Sequence, residues 1–115
     1  MSSETIVVFI TTANREEAAR LADMLVGARL AACVQIFPEI ESVYRWEGKI
    51  ERQPEILLLA KSTRDKFDEL DRQVRAVHSY ETPEIVAVSA AAVSGPYLKW
   101  LDESLALRSA HQDAS

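Results

Sequence analysis

Residues 42–51 read SVYRWEGKIE, and this stretch predicts the tip of a long β-hairpin. A compact turn at Glu47-Gly48, where glycine can supply a positive φ, joins two extended arms over residues 32–46 and 49–61. Pro38 interrupts the first arm. Because proline lacks an N–H group, we expect this arm at the edge of a sheet. The apolar run at the end of the second arm indicates a central strand.

The rest of the chain alternates strand and helix patterns. They predict a strand over residues 6–11, a helix after Asn14, a helix from about 62 to 78, a strand over 84–90 and a helix after Pro96. This order predicts an α+β, ferredoxin-like (split β-α-β) sandwich: a four-stranded antiparallel sheet with two helices on one face, plus a C-terminal helix. We expect the first strand to be buried on both faces, and Val26 and Val77 to lie on the apolar stripes of the first two helices.

The hairpin arms are longer than the outer strands with which they must pair. Overhanging arms expose strand edges and aromatic side chains, which another chain would have to cover. Strand lengths alone therefore predict closed oligomerisation.

Length and composition limit the possible classes. The chain has 115 residues, which predicts one domain over 1–115 with a core at about 5–108 and flexible tails at 1–4 and 109–115. With 13 basic and 18 acidic residues the net charge is −5, which disfavours nucleic acid as a partner. There is no apolar run long enough for a membrane span, no leader pattern and a single cysteine, so we expect a cytoplasmic protein without a membrane partner.

Two runs concentrate the polar and aromatic residues, 42–51 and 78–85, the latter reading HSYETPEI. We expect them to form an intersubunit cleft that mixes carboxylates, hydrogen-bond donors and aromatic faces, as binding pockets do. The candidate residues are Tyr44, Trp46, Glu47, Lys49, Glu55, Lys61, Tyr80, Glu81 and Glu84. In this hypothesis Lys61 would hold an anion. The alternative is that the same residues form the polar part of a subunit contact. No catalytic motif is present, so we predict no enzymatic activity. The alternative function is a small-ligand-binding signalling module or an uncharacterised enzyme that uses the intersubunit cleft.

Three segments, residues 30–62, 78–88 and 97–105, closely resemble the CutA family of divalent-cation tolerance proteins, and the resemblance extends over roughly the whole domain. It implies a ferredoxin-like subunit similar to the PII signalling proteins, which forms a tight homotrimer through its long hairpins. It also implies a role in tolerance of divalent metals, particularly copper, with no established reaction. Vertebrate members are linked to membrane anchoring of acetylcholinesterase.

The resemblance makes His78 and Cys33 the candidate metal ligands, because copper favours imidazole and thiolate. The sequence nevertheless departs from the copper-binding pattern of the family, which has a cysteine at the end of the first strand and two adjacent histidines. Here the first-strand position is Thr11 or its neighbour, Val77 precedes His78, and Ser79 replaces the usual proline. We therefore expect no obligatory cofactor and at most weak binding of copper or another divalent metal.

Overall fold

The computed structural model describes residues 3–106 of the chain. Its elements in chain order are β1 (Thr5–Thr12), α1 (Arg15–Gly27), β2 (Cys33–Trp46), β3 (Lys49–Thr63), a 3-10 turn (Arg64–Lys66), α2 (Phe67–Val77), β4 (Ile85–Ser89) and α3 (Gly95–Leu105). The four strands form one sheet in the order β2-β3-β1-β4, and all neighbours are antiparallel. The predicted α+β fold is confirmed, with β2 at an edge and β3 in the centre.

The core lies between one face of the sheet and the helices α1 and α2. Alternate residues of β1 and β3 supply the sheet side of this core, and leucines and a valine of the helices supply the other: Ile6, Val8, Ile10, Ile56, Leu58, Leu21, Leu25, Leu70 and Val74. A smaller cluster of Ala32, Leu101 and Leu105 holds α3. The opposite face of the sheet carries no helix from this core. We refer to it as the open face.

The helix α1 begins at the predicted cap. The Asn14 side chain accepts a hydrogen bond from the Glu17 N–H at 2.8 Å. The reciprocal bond of a capping box is weak, because Glu17 Oε1 lies 3.5 Å from the amide of Ala13 rather than near that of Asn14. The Glu17 carboxylate is directed mainly to Ser79.

The hairpin of β2 and β3 is longer than the outer strands, as predicted. Its arms have 14 and 15 residues, against 8 in β1 and 5 in β4. Its turn has positive φ at both central residues, 49° at Glu47 and 80° at Gly48, as in the hairpin turns that match strand twist. The hairpin lengthens the molecule to 53 × 32 × 23 Å.

A β-bulge interrupts β2 around Pro38. Phe37 pairs with Leu57, but the next pair is Ile40 with Glu55, so β2 uses three residues where β3 uses two. Because side chains alternate between faces, this extra residue keeps Phe37 and Ile40 on the same side of the sheet. The open face therefore continues without interruption from the sheet into the hairpin.

Three expectations about burial are wrong in this chain. Val26 and Val77 are 44% and 61% exposed, although Leu25 and Val74 of the same helices are fully buried. The helix face of β1 is buried throughout, whereas on the open face Thr5 and Thr11 are buried but Val7 and Phe9 between them are only half-buried.

Two residues that precede β1 take part in the fold. Ser3 and Glu4, expected in a tail, accept backbone hydrogen bonds from Asp65 and Arg64. The expected tail at 109–115 lies outside the described residues. Within residues 3–106, no helix is long and apolar enough to cross a membrane.

Candidate functional site

A cleft of about 630 Å³ lies on the open face, between the hairpin and the segment that leads from α2 to β4. Six of the nine predicted cleft residues line it, namely Tyr44, Trp46, Glu55, Tyr80, Glu81 and Glu84. The hairpin supplies the first three and the segment supplies the others. The cleft is therefore formed within one chain, and the contribution of a second subunit stays a prediction.

Glu55 is the centre of the hydrogen bonds in the cleft. Its side chain comes from the central strand β3, and the residue is only 8% exposed. Ser42 donates its hydroxyl to Oε1 at 2.6 Å, and Tyr80 donates its hydroxyl to Oε2 at 2.8 Å. A buried carboxylate that accepts two short O–H bonds is held in one orientation.

Two further bonds connect the aromatic walls of the cleft. The Tyr44 hydroxyl donates to Oε1 of Gln53 at 2.7 Å, and Gln53 Nε2 approaches the Tyr80 hydroxyl at 3.4 Å. Burial, together with the hydrogen bond to Glu55 and the charge of that carboxylate, raises the pKa of Tyr80 well above its usual range. Tyr80 therefore stays protonated and acts as a donor.

His78 positions Tyr80 and is itself fully buried at its side chain. Its Nε2 lies 2.8 Å from the carbonyl oxygen of Thr11, which can only accept, so Nε2 carries a proton. Its Nδ1 lies 3.0 Å from the Tyr80 N–H, which can only donate, so Nδ1 accepts. These two bonds define a neutral imidazole with the proton on Nε2, and they leave neither ring nitrogen free for a metal ion.

Glu17 fixes the same segment from the other side. The backbone N–H and the hydroxyl of Ser79 donate to its two carboxylate oxygens at 2.7 Å and 2.9 Å. Burial by itself would raise the pKa of Glu17, but the two bonds from Ser79, together with the nearby His78 and the Ala13 amide, outweigh it and the pKa is lowered. A proline at position 79 could make neither bond.

Glu84 lies at the rim of the cleft near Glu55. Partial burial of its carboxyl group and the negative charge of Glu55 both raise the pKa of Glu84. The Glu55 contribution to this shift indicates that these two carboxyl groups of the cleft lie close enough to repel each other.

The other predicted site residues lie elsewhere. Glu47 is a central residue of the hairpin turn and Lys49 follows that turn, and neither lines the cleft. Lys61 donates to the Gln35 side chain at 2.8 Å, on the far part of the open face, and does not line the cleft. Cys33 is half-buried near Tyr97 of α3. The pKa of Tyr97 is raised, mainly because the tyrosine is partly buried and secondly because Cys33 lies next to it.

Sequence reasoning missed five residues that line the cleft: Thr11, Ser42, Val43, Gln53 and Thr82. Ser42 and Gln53 could have been found from the turn, because counting outward from Glu47-Gly48 pairs them on the face of Tyr44. Thr11 has no such signal, since its position depends on the pairing of β1 with β3.

The described residues do not provide a metal site of three ligands. No group of three histidine, cysteine, aspartate or glutamate side chains is arranged around a common point within residues 3–106. This part of the chain therefore does not fit a tight metal site by itself. The role of Cys33 and His78 as ligands stays a prediction.

These features define the class of protein: an α+β, ferredoxin-like fold with a polar cleft on the open face. The profile of the family described as CutA1 divalent ion tolerance protein matches residues 6–104. The chain belongs to this family, and the resemblance found in the sequence is confirmed.

Similar proteins support the assignment. The divalent-cation tolerance protein CutA of Thermus thermophilus is 46% identical over 98 residues, which are 85% of this chain and 95% of that protein. A solved CutA1 structure from the same species has a TM-score of 0.85, 45% identity, and coverage of 87% of this chain and 97% of that one. The chloroplastic protein CutA of Arabidopsis thaliana is 44% identical over 87% of this chain, but the match covers only 55% of that relative.

Proposed function

We propose that the chain works as a homotrimer in tolerance of divalent cations. The observation that supports this best is the open face, which exposes large apolar side chains: Val86 is 51% exposed, Val88 47% and Phe37 44%. The hairpin also exposes large apolar side chains, since Trp46 is 59% exposed and Ile50 60%. Apolar surface of this kind marks an interaction site, and the resemblance to CutA implies three subunits.

Sedimentation equilibrium tests the assembly. We expect a mass of about three times the 12.8 kDa subunit at micromolar protein concentration. A mass of one subunit would contradict the proposal.

We propose that any metal binding is weak, non-obligatory and not selective for copper alone. His78 would have to lose one of its two hydrogen bonds to ligate a metal through that ring nitrogen, and three such ligands are not grouped within residues 3–106. A platform that binds metal weakly, or that acts through its assembly, accords with these contacts and needs no enzymatic step.

We propose the cytoplasm as the location of the protein. We expect no nucleic-acid partner, because the net charge is −5.

Calorimetric titration with copper(II) and zinc separates the ligand roles. We expect low affinity in the unmodified protein and identical curves for His78→Gln. Cys33→Ser is the matched variant for the second candidate ligand. A loss of binding in either variant would assign that residue as a ligand.

A second candidate function is binding of a small ligand in the cleft. Its volume of about 630 Å³ lies in the range of ligand pockets, and its carboxylate, hydroxyl and amide groups are already oriented by hydrogen bonds. A site organised in this way before binding loses less conformational entropy when a ligand enters. Titration with small aromatic probes of different charge tests this function.

A further inference from the structure

The residues that line the cleft carry negative charge and no positive charge. Three of these described residues are carboxylates, Glu55, Glu81 and Glu84, and none is lysine, arginine or histidine. Lys61, expected to hold an anion, instead contacts Gln35 outside the cleft. The sequence suggested an anionic ligand, whereas the lining of the cleft favours a positively charged one.

Within the described part of the chain, Glu55 lacks the cation that buried carboxylates normally have. It is 8% exposed, yet none of the ion pairs among residues 3–106 includes it. Ser42 and Tyr80 each occupy one lone pair of a different carboxylate oxygen. Each oxygen keeps a further lone pair that can accept from a ligand N–H group.

Aromatic rings stand beside these carboxylates. Tyr44, Trp46 and Tyr80 all line the cleft, and the hydroxyls of the two tyrosines are fixed by Gln53 and Glu55. The faces of such rings attract cations, tryptophan most strongly. Carboxylates and aromatic faces together favour an organic cation over a neutral or anionic molecule.

The size of the cleft distinguishes between two kinds of cation. A divalent metal ion needs several ligands at about 2–2.5 Å, and residues 3–106 contain no group of three candidate ligands. A volume of about 630 Å³ instead accommodates an organic molecule.

We propose that the cleft binds a small organic cation, an amine or guanidinium compound, whose N–H groups donate to Glu55 while its apolar part contacts Tyr44, Trp46 and Tyr80. This inference rests on the second candidate function, ligand binding in the cleft, and names its ligand class. The raised pKa of Glu84 agrees with it, since a bound cation would relieve the repulsion between Glu55 and Glu84.

Three probes of similar size and different charge test the proposal: benzylamine, benzyl alcohol and phenylacetate. Each is titrated into the full assembled chain at pH 7 and followed by the indole N–H signals in nitrogen-proton correlation spectra. Trp46 lines the cleft and Trp100 lies on α3, so Trp100 serves as an internal control. We expect benzylamine to shift the Trp46 signal saturably, with an affinity about tenfold or more above that of the other probes.

The matched variants are Glu55→Gln and Glu51→Gln. Both remove one negative charge from β3 on the open face, but Glu51 is exposed and does not line the cleft. Benzylamine affinity should fall about tenfold in Glu55→Gln and stay unchanged in Glu51→Gln. If Glu55→Gln melts far below the unmodified protein, Glu84→Gln replaces it, with an expected loss of several-fold.

The outcomes separate the inference from the function on which it rests. Binding of phenylacetate alone would overturn the organic-cation proposal but leave ligand binding intact. Binding of no probe would overturn both, as would a basic side chain of a second copy occupying the cleft of the trimer. Equal benzylamine affinity in Glu55→Gln and Glu51→Gln would place the cation elsewhere and overturn the proposal.

Discussion

A single carboxylate, Glu17, connects the first turn of α1 to the segment that carries Tyr80. It is 3% exposed and accepts both donors of Ser79. The residue before Ser79, His78, links the carbonyl of Thr11 to the amide of Tyr80. The position of one cleft residue thus depends on two buried polar groups that do not line the cleft.

Replacing Glu17 by glutamine should lower the free energy of unfolding by about 1–2 kcal/mol at pH 7, because a charged acceptor is exchanged for a neutral one. The measurement is urea unfolding at one fixed protein concentration. Ser79→Ala is the partner variant, which removes only the hydroxyl donor and should cost about 1 kcal/mol. A double variant that costs the full sum would show that the two side chains do not interact.

The Glu17 contribution should also depend on pH. The folded-state pKa lies below the ordinary value of 4.5, so the charged form stabilises the fold fully above that pH. As pH falls through the folded pKa, the carboxylate is protonated and this stability is lost. The difference in unfolding free energy between the unmodified protein and Glu17→Gln should therefore shrink below about pH 4.5. A constant difference down to about pH 3 would contradict the assigned bonds.

The tautomer of His78 is a separate prediction. Its partners require a proton on Nε2 and a lone pair on Nδ1. Nitrogen NMR of the imidazole ring should report this form at pH 7, unchanged by one equivalent of zinc. A ring with the proton on Nδ1 would show that the contacts with Thr11 and Tyr80 are different in solution.

At the scale of elements, the hairpin turn was predictable and the bulge was not. Glycine after glutamate, between arms rich in β-branched and aromatic residues, indicates a turn at Glu47-Gly48. Pro38 indicated an interruption of β2, but the sequence around it does not show how many residues the bulge contains. That count decides which side chains of β2 share a face with Glu55, and it follows only from the pairing with β3.

Two glycines with open space around them should respond oppositely to alanine. Gly48 has a φ of 80° and no atom within 4 Å of an added Cβ, so Gly48→Ala should cost about 1–2 kcal/mol from backbone strain alone. Gly27 has equal space but ordinary φ at the end of α1, so Gly27→Ala should stabilise by about 0.5–1 kcal/mol. Chemical denaturation of both variants checks the signs, and Gly48→Asn should cost less than Gly48→Ala.

At the scale of the whole molecule, the open face leaves large apolar side chains uncovered. Helices cover one side of the sheet, while Val86 and Val88 of β4 lie half exposed on the other. The sequence predicted association from strand lengths. It did not predict the uncovered face, because a half-buried strand of β-branched residues looks the same whether a helix or another subunit covers it.

A charge on the open face should dissociate the assembly. Val88→Lys places an ammonium group in the apolar patch, and we expect sedimentation to shift from three subunits toward one. Val77→Lys is the control, since Val77 is 61% exposed at the end of α2 and should leave the mass unchanged. An intact trimer in Val88→Lys would place the subunit contact elsewhere.

The site was predicted in its residue types more than in its chemistry. Tyr44, Glu55 and Tyr80 could be chosen because aromatic and acidic residues are concentrated in and near two runs of the chain. The absence of Lys61 from the cleft could not be predicted in this way. It depends on a hydrogen bond to Gln35 at the end of β3 far from the hairpin turn. The sign of the cleft charge was therefore beyond the reach of sequence patterns.

The bulge in β2 gives this protein one residue of tolerance to deletion. Loss of a residue at 38–39 would straighten the strand yet keep Ile40 opposite Glu55 and Ser42 opposite Gln53. Loss of a residue between Ser42 and the turn, absorbed by the same straightening, would transfer Ser42 to the other side of the sheet and remove a donor from Glu55. Length changes during evolution should therefore accumulate before Ile40 and be rare after it.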